Sequence, residues 1–139
     1  MTVLTKTIQV KSAGEGDIIN LTEQTSRMVE ECKIVNGIVT VFVSGSTAAV
    51  TTIEYEPGLK QDFPAMLSRV APSNIEYEHD NTWHDGNGHS HVLASLVGPS
   101  LTIPFMNSNL LLGTWQQIVL IEMDTRARRR NIIVQMMGE

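Results

Sequence analysis

The sequence predicts an α+β domain with largely antiparallel β-sheets and two main helices, and three observations carry that prediction. Runs rich in β-branched residues recur along the chain, two amphipathic stretches of helical period sit among them, and the two kinds do not alternate regularly. A parallel sheet with crossover helices would require such alternation. With 139 residues, 42% hydrophobic and 18% charged, the chain suits one soluble globular domain, residues 1–139.

Thr2 to Val10 sets Leu4, Lys6, Ile8 and Val10 against Val3, Thr5, Thr7 and Gln9, the pattern of a first strand. Gly14-Glu15-Gly16 breaks it. Asp17 is placed to cap a helix reaching about Lys33, with Ile18, Leu21, Met28, Val29 and Cys32 on one face. Cys32 is thereby read as a small core residue rather than a nucleophile. Asn36-Gly37 tolerates the positive φ that ends a helix. Ile38 to Val43 is apolar on both faces and reads as a central strand. Ser44-Gly45-Ser46-Thr47 interrupts it, and Ala49 to Glu54 resumes as another. Pro57 opens the second helix, with Leu59, Phe63, Met66, Leu67 and Val70 at helical spacing, and Ala71-Pro72-Ser73 stops it. From there the chain reads as β. Asn74 to His79, Val92 to Val97, Leu101 to Phe105, Gln117 to Met123 and Ile132 to Met137 are expected strands, and Asp80 to Ser90 a polar loop.

The net charge is −5, and its distribution says more than its total. No Lys or Arg occurs between Arg69 and Arg126. That gap holds Glu76, Glu78, Asp80, Asp85, Glu122, Asp124 and all four histidines, His79, His84, His89 and His91. A nucleic-acid partner is disfavoured, because neutralising phosphates needs a basic stripe. The single cysteine excludes an intrachain disulfide. With no charged-then-apolar leader and no apolar run of roughly 18 residues, a cytoplasmic protein without a membrane partner is expected.

The candidate chemistry lies in the histidine-rich segment. In an extended chain residues i and i+2 face one side, so His89 and His91 are expected to share an ion, with His79 as third ligand. Asp85 is a fourth ligand or a partner that fixes a histidine tautomer, and Gly86 and Gly88 permit the turns. An exposed polar loop, or a subunit contact without metal, accounts for the same residues, and no HExxH pattern is present. Trp83 either stacks on a planar substrate or covers a neighbouring subunit. Glu54, after an apolar strand, is a candidate to orient a histidine or act as a base, while Glu56 favours the start of the second helix. Arg126, Arg128, Arg129 and Arg130 form a basic cluster in which Arg128 is a candidate phosphate ligand. In an extended segment Arg128 and Arg130 face away from Arg129, so pairing with Asp124, Glu122 or a neighbouring subunit accounts for most of the cluster.

Ser100-Leu101-Thr102-Ile103-Pro104-Phe105, followed by Leu112-Gly113-Thr114-Trp115-Gln116-Gln117-Ile118, resembles the signature of the YjbQ-like proteins, a family often labelled secondary thiamine-phosphate synthase. Tyr77-Glu78-His79, Asp85 to His91, Ser95 to Gly98, Arg128-Arg129-Arg130 and Ser46 to Ala49 ahead of Glu54 extend the resemblance over nearly the whole chain. It implies a homotrimer with clefts between subunits. The activity it implies is formation of thiamine monophosphate from hydroxymethylpyrimidine diphosphate and a thiazole phosphate, with diphosphate released. The family's recurrent site positions fall on Thr47, His79, Asn87 and His91, with Trp115-Gln116 nearby. Many members carry His where this chain has Ser46, so one expected group is missing and His89 is the expected replacement.

Together these readings put a divalent metal, zinc first and magnesium second, on His79, His89 and His91. Glu54 and Asp85 are the catalytic candidates. A small phosphorylated substrate is expected on Ser46, Thr47, Asn87, Gln116 and Arg128. Two further classes stay open: metal-dependent hydrolysis of a small metabolite, and a non-catalytic trimer that binds a metal or ligand.

Overall fold

The computed structural model describes residues 1–139. Its first sheet follows from the alternation in the sequence. β1 (Thr2–Lys11), β8 (Arg129–Gly138), β3 (Gly37–Ser44), β5 (Ser100–Met106) and the short β6 (Asn109–Leu110) lie in that order, every pair antiparallel. Residues of one parity, among them Ile8, Val39, Val41, Ile103, Phe105, Val134 and Met136, turn inward and are buried. A second sheet has the order β2 (Ile18–Asn20), β7 (Gln117–Glu122), β4 (Ala48–Ile53), again antiparallel. Both its faces are covered: Val50, Ile118 and Leu120 join the core against the first sheet, and Ala49, Val119 and Ile121 join a separate core beneath helices. That is why β7 reads as a continuous apolar run instead of an alternating one.

α1 (Thr22–Glu31) closes the larger core through Val29, with Cys32 just beyond it buried there as expected. α2 (Pro57–Val70) and α4 (Gly88–Val97) cover the outer face of the second sheet through Leu67, Leu93 and Ala94. The α+β class and the antiparallel pairing hold. Glu56 caps α2, its carboxylate accepting from the Gly58 N–H at 2.9 Å and from the Leu59 N–H. No helix is long and apolar enough to cross a membrane.

Two expectations need correction. The helix over Asp17–Lys33 is shorter at its start. Ile18–Asn20 instead pairs with Ile121–Val119, satisfying the backbone groups along an edge of β7, and Asp17 accepts from the Ala13 N–H at 2.7 Å rather than capping a helix. Residues 74–97 contain no strand. α3 (Glu78–Trp83) and α4 occupy the segments expected as loop and strand, so the fold has four helices, not two. His89, Leu93, Ala94 and Val97 recur at helical spacing, and burial of that one face outweighs the β propensity of the short apolar run.

Candidate functional site

α4 begins where the ends of β4 and β7 meet, and a glycine permits it. A Cβ at Gly88 would stand 2.5 Å from the Tyr77 Cβ, while the Gly88 N–H donates to Asp80 Oδ1 at 2.9 Å. This ties α3 to α4 and brings the His79 and His91 rings to a centroid distance of 4.2 Å, tilted by 40°. His79 Nδ1 is buried without a hydrogen-bond partner, its nearest carboxylate oxygen being Asp80 Oδ1 at 3.8 Å.

Beside the pair lies Asp124, just beyond β7 and 1% exposed. It accepts from Thr47 Oγ1 at 2.9 Å, Arg128 Nε at 2.9 Å, the Thr125 N–H at 2.8 Å and, at 3.4 Å, Asn87 Nδ2. Burial by itself would raise the pKa of Asp124. The hydrogen bonds from Thr47, Thr125 and Arg128, with the Arg128 charge, outweigh it and hold the carboxyl below its ordinary range. The pKa of His91 is lowered too, which for a base favours the neutral form: burial first, then the neighbouring His79, lower it, only partly opposed by Asp124, Asp85 and Asp80. An imidazole held neutral offers a lone pair to a proton or a ligand. It is a poor fixed counter-charge.

Next to Asp124 lies a more deeply buried ion pair. Glu122, 0% exposed, receives Arg130 Nε at 2.9 Å, Arg130 Nη2 and Ser12 Oγ at 2.7 Å, and Arg130 Nη2 also donates to Thr47 Oγ1 at 2.7 Å. Gly45 has φ +147°, and a Cβ there would stand 2.7 Å from Arg130 Nη1, so glycine leaves the guanidinium its room. A small cavity of about 180 Å³ lies alongside, lined by Gly45, Ser46, Ala48, His91, Ala94, Ser95 and Pro99.

The structure thus brings Thr47, His79, Asn87, His91 and Arg128 together, with Ser46 at the cavity and exposed Asp85 close enough to act on His91. It does not bring His89 to them. The expectation of a shared ion rested on an extended chain, and on α4 residues two apart diverge by about 200°. His89 points instead to Glu15, and no three His, Cys, Asp or Glu side chains converge on an ion within one chain. Glu54 and Gln116 lie at the far end of the second sheet, where Gln116 Nε2 donates to Thr52 Oγ1 at 3.1 Å. The six residues of β4, Ala48–Ile53, separate that end from Thr47 by roughly 20 Å. Trp83 and Trp115 are 67% and 72% exposed. Two of the four clustered arginines pair with the acids expected, Arg128 with Asp124 and Arg130 with Glu122, while Arg126 and Arg129 are exposed. Asp124, Glu122 and Glu15 were absent from the candidate set. The first two announce themselves as acids closing an apolar run; nothing local marks Glu15.

Comparison with known proteins gives a consistent relationship. A family model described as UPF0047 protein YjbQ-like matches residues 6–139. A UPF0047 protein of Methanothermobacter thermautotrophicus is 35% identical over 139 residues, covering 100% of this chain and 95% of that protein. The UPF0047 protein YugU of Bacillus subtilis is 32% identical, covering 96% of this chain and 98% of that one. Among solved structures, a YbjQ-like protein of unknown function from Sulfolobus solfataricus superposes with a TM-score of 0.92 at 32% identity, covering 99% of both chains.

Proposed function

The chain belongs to the YjbQ-like UPF0047 family, and from that premise we propose that its His91 face handles a small phosphorylated substrate, joining hydroxymethylpyrimidine diphosphate to a thiazole phosphate with loss of diphosphate. The observation that carries this reading is the His79–His91 pair set against an Asp124 that Thr47 and Arg128 hold ionised. In such a displacement the thiazole nitrogen forms a bond to the pyrimidine methylene carbon as the C–O bond to diphosphate breaks, so no proton need move. The protein's work is to hold both rings and the leaving anion. Arg128, its side chain 34% exposed, keeps donors for phosphate oxygens. Ser46 and Asn87 flank the His91 side, and the Asn87 Oδ1 is buried with no donor yet facing it.

In this reading a divalent ion takes His79 and His91 as its ligands from one chain. His79 has an unpartnered buried Nδ1 and His91 an imidazole kept neutral, whereas His89 is turned away. Zinc or magnesium bound there would supply Lewis acidity toward phosphate oxygens.

In this reading the working unit is a homotrimer, which accounts for Glu54 and Gln116: they enter the site from a neighbouring copy. The outer face of the first sheet supports self-association. Val3, Thr5, Thr7 and Gln9 of β1, Asn131, Ile133, Gln135 and Met137 of β8, Ile38, Thr40, Phe42 and Ser44 of β3, and Ser100, Thr102, Pro104 and Met106 of β5 align across it uncharged, and charge enters only at one end, where Lys11 lies opposite Arg129. The exposed apolar side chains among them, Val3, Ile38, Phe42, Met106 and Met137, favour such a role.

The test is to supply the two substrates together and singly, measuring thiamine monophosphate and diphosphate, with zinc or magnesium and with protein purified without an affinity tag. Product that requires both substrates, and is lost in Arg128→Ala, is expected. Diphosphate or phosphate released from one substrate alone would replace the reading with hydrolysis. Turnover of neither would replace it with a binding protein.

A further inference from the structure

A second cleft opens on the other side of α4. His89 and Leu93, one turn apart, line a cavity of about 290 Å³ between α2 and α4, walled by Leu67, Ala71 and Met123. Its charge is one-sided. Glu122 on its floor is already met by Arg130 and Ser12. Glu15 at its mouth is 48% exposed and has no Lys or Arg beside it; its carboxylate accepts from His89 Nε2, and no Lys or Arg lines the cavity. His89 is itself only 3% exposed, and its Nδ1 has no partner. A buried imidazole with one unmet nitrogen is costly unless it serves a purpose, and here its one hydrogen bond holds a carboxylate over an apolar cavity.

We propose that this cleft binds a small organic cation of alkylammonium type, its charged head on Glu15 and its apolar body against Leu67, Ala71, Leu93 and Met123. Glu15 at the mouth, with no Lys or Arg in the lining and Glu122 already compensated by Arg130, repels an anion, which separates this site from the phosphate chemistry assigned to the His91 side. The volume is at the small end of ligand cavities, about 300 Å³ and upward, and suits a head group with a chain of a few carbons. His89 is a positioning residue: it donates to Glu15 through Nε2–H and fixes where the carboxylate points.

The experiment is a titration of methyl-labelled full-length protein with hexylammonium, hexanoate and hexanol, followed by NMR. Hexylammonium is expected to move the methyl signals of Leu67, Leu93 and Met123, and hexanoate to leave them in place. Glu15→Gln, a partly exposed change that leaves the core untouched, is expected to weaken hexylammonium binding about tenfold, as loss of a charge-assisted hydrogen bond does. Ala65→Trp, which plugs the mouth from an exposed position, is expected to abolish it. Hexanoate or hexanol binding as tightly as hexylammonium, undiminished affinity in Glu15→Gln, or no binding of hexylammonium at all would each overturn the proposal.

Discussion

Replacing Arg130 by Met tests the buried pair on which the candidate site rests. Arg130 is 6% exposed and Glu122 0%. Two of the four donors that reach the Glu122 carboxylate are the Arg130 Nε and Nη2; the others are Ser12 Oγ at 2.7 Å and the Asp124 N–H at 3.1 Å. The methionine keeps most of the side chain's volume but leaves a buried carboxylate with two donors and no counter-charge. Breaking a buried pair in this way costs about 3–5 kcal/mol. Adding Glu122→Gln removes the stranded charge while Gln still accepts from Ser12, so the double variant should recover roughly half of that loss. Urea unfolding at one fixed protein concentration measures both, since association would otherwise shift the midpoint. A cost below about 1 kcal/mol for Arg130→Met, or a double variant no more stable than the single, would refute the claim that charge compensation holds Glu122.

Gly88→Ala should destabilise by about 1–3 kcal/mol, through overpacking, because the new methyl would meet the Tyr77 Cβ at 2.5 Å; a lowered thermal midpoint checks it. Asp124 carries a pH signature. Its folded pKa lies below the ordinary carboxylate value of 3.8, so its contribution is present above that value and is lost as pH falls through the folded one. Thr47→Val, which removes one donor, should therefore move the acid-unfolding midpoint to higher pH, and an unmoved midpoint would show that the hydrogen bond contributes nothing. Phe42→Lys puts a charge in the middle of the outer sheet face, whose charged residues, Lys11 and Arg129, lie at one end, at a position 40% exposed. Sedimentation should show a smaller species with unchanged circular dichroism, and an assembly of unaltered mass would place the interface elsewhere.

Much of this molecule was legible in one dimension because the residues responsible act locally. Alternation in Thr2–Val10 states strand and buried face together, Pro57 with Glu56 states a helix start, and the apolar run of Ile38–Val43 states a central strand but not its burial, since Val39, Val41 and Val43 are buried while Ile38 and Phe42 are exposed. Thr47, His79, Asn87, His91 and Arg128 were named from the sequence, and the fold assembles them. What the sequence could not decide was the conformation of residues 17–21 and 74–97. Ile18-Ile19-Asn20 satisfies helical and extended patterns alike, and becomes β2 only because β7 offers it an edge to pair with. In the same way Val92 to Val97 is a short apolar run whose state depends on having a sheet to cover with one face. That choice has a chemical consequence. As a strand it would have aimed His89 and His91 at one ion; as a helix it divides them between two cavities, one beside Asp124 and one beneath Glu15. The sequence by itself determined which side chains are present and which stretches seek burial, whereas tertiary packing decided which of them share a site, because a change of backbone period from two to 3.6 redirects every second residue.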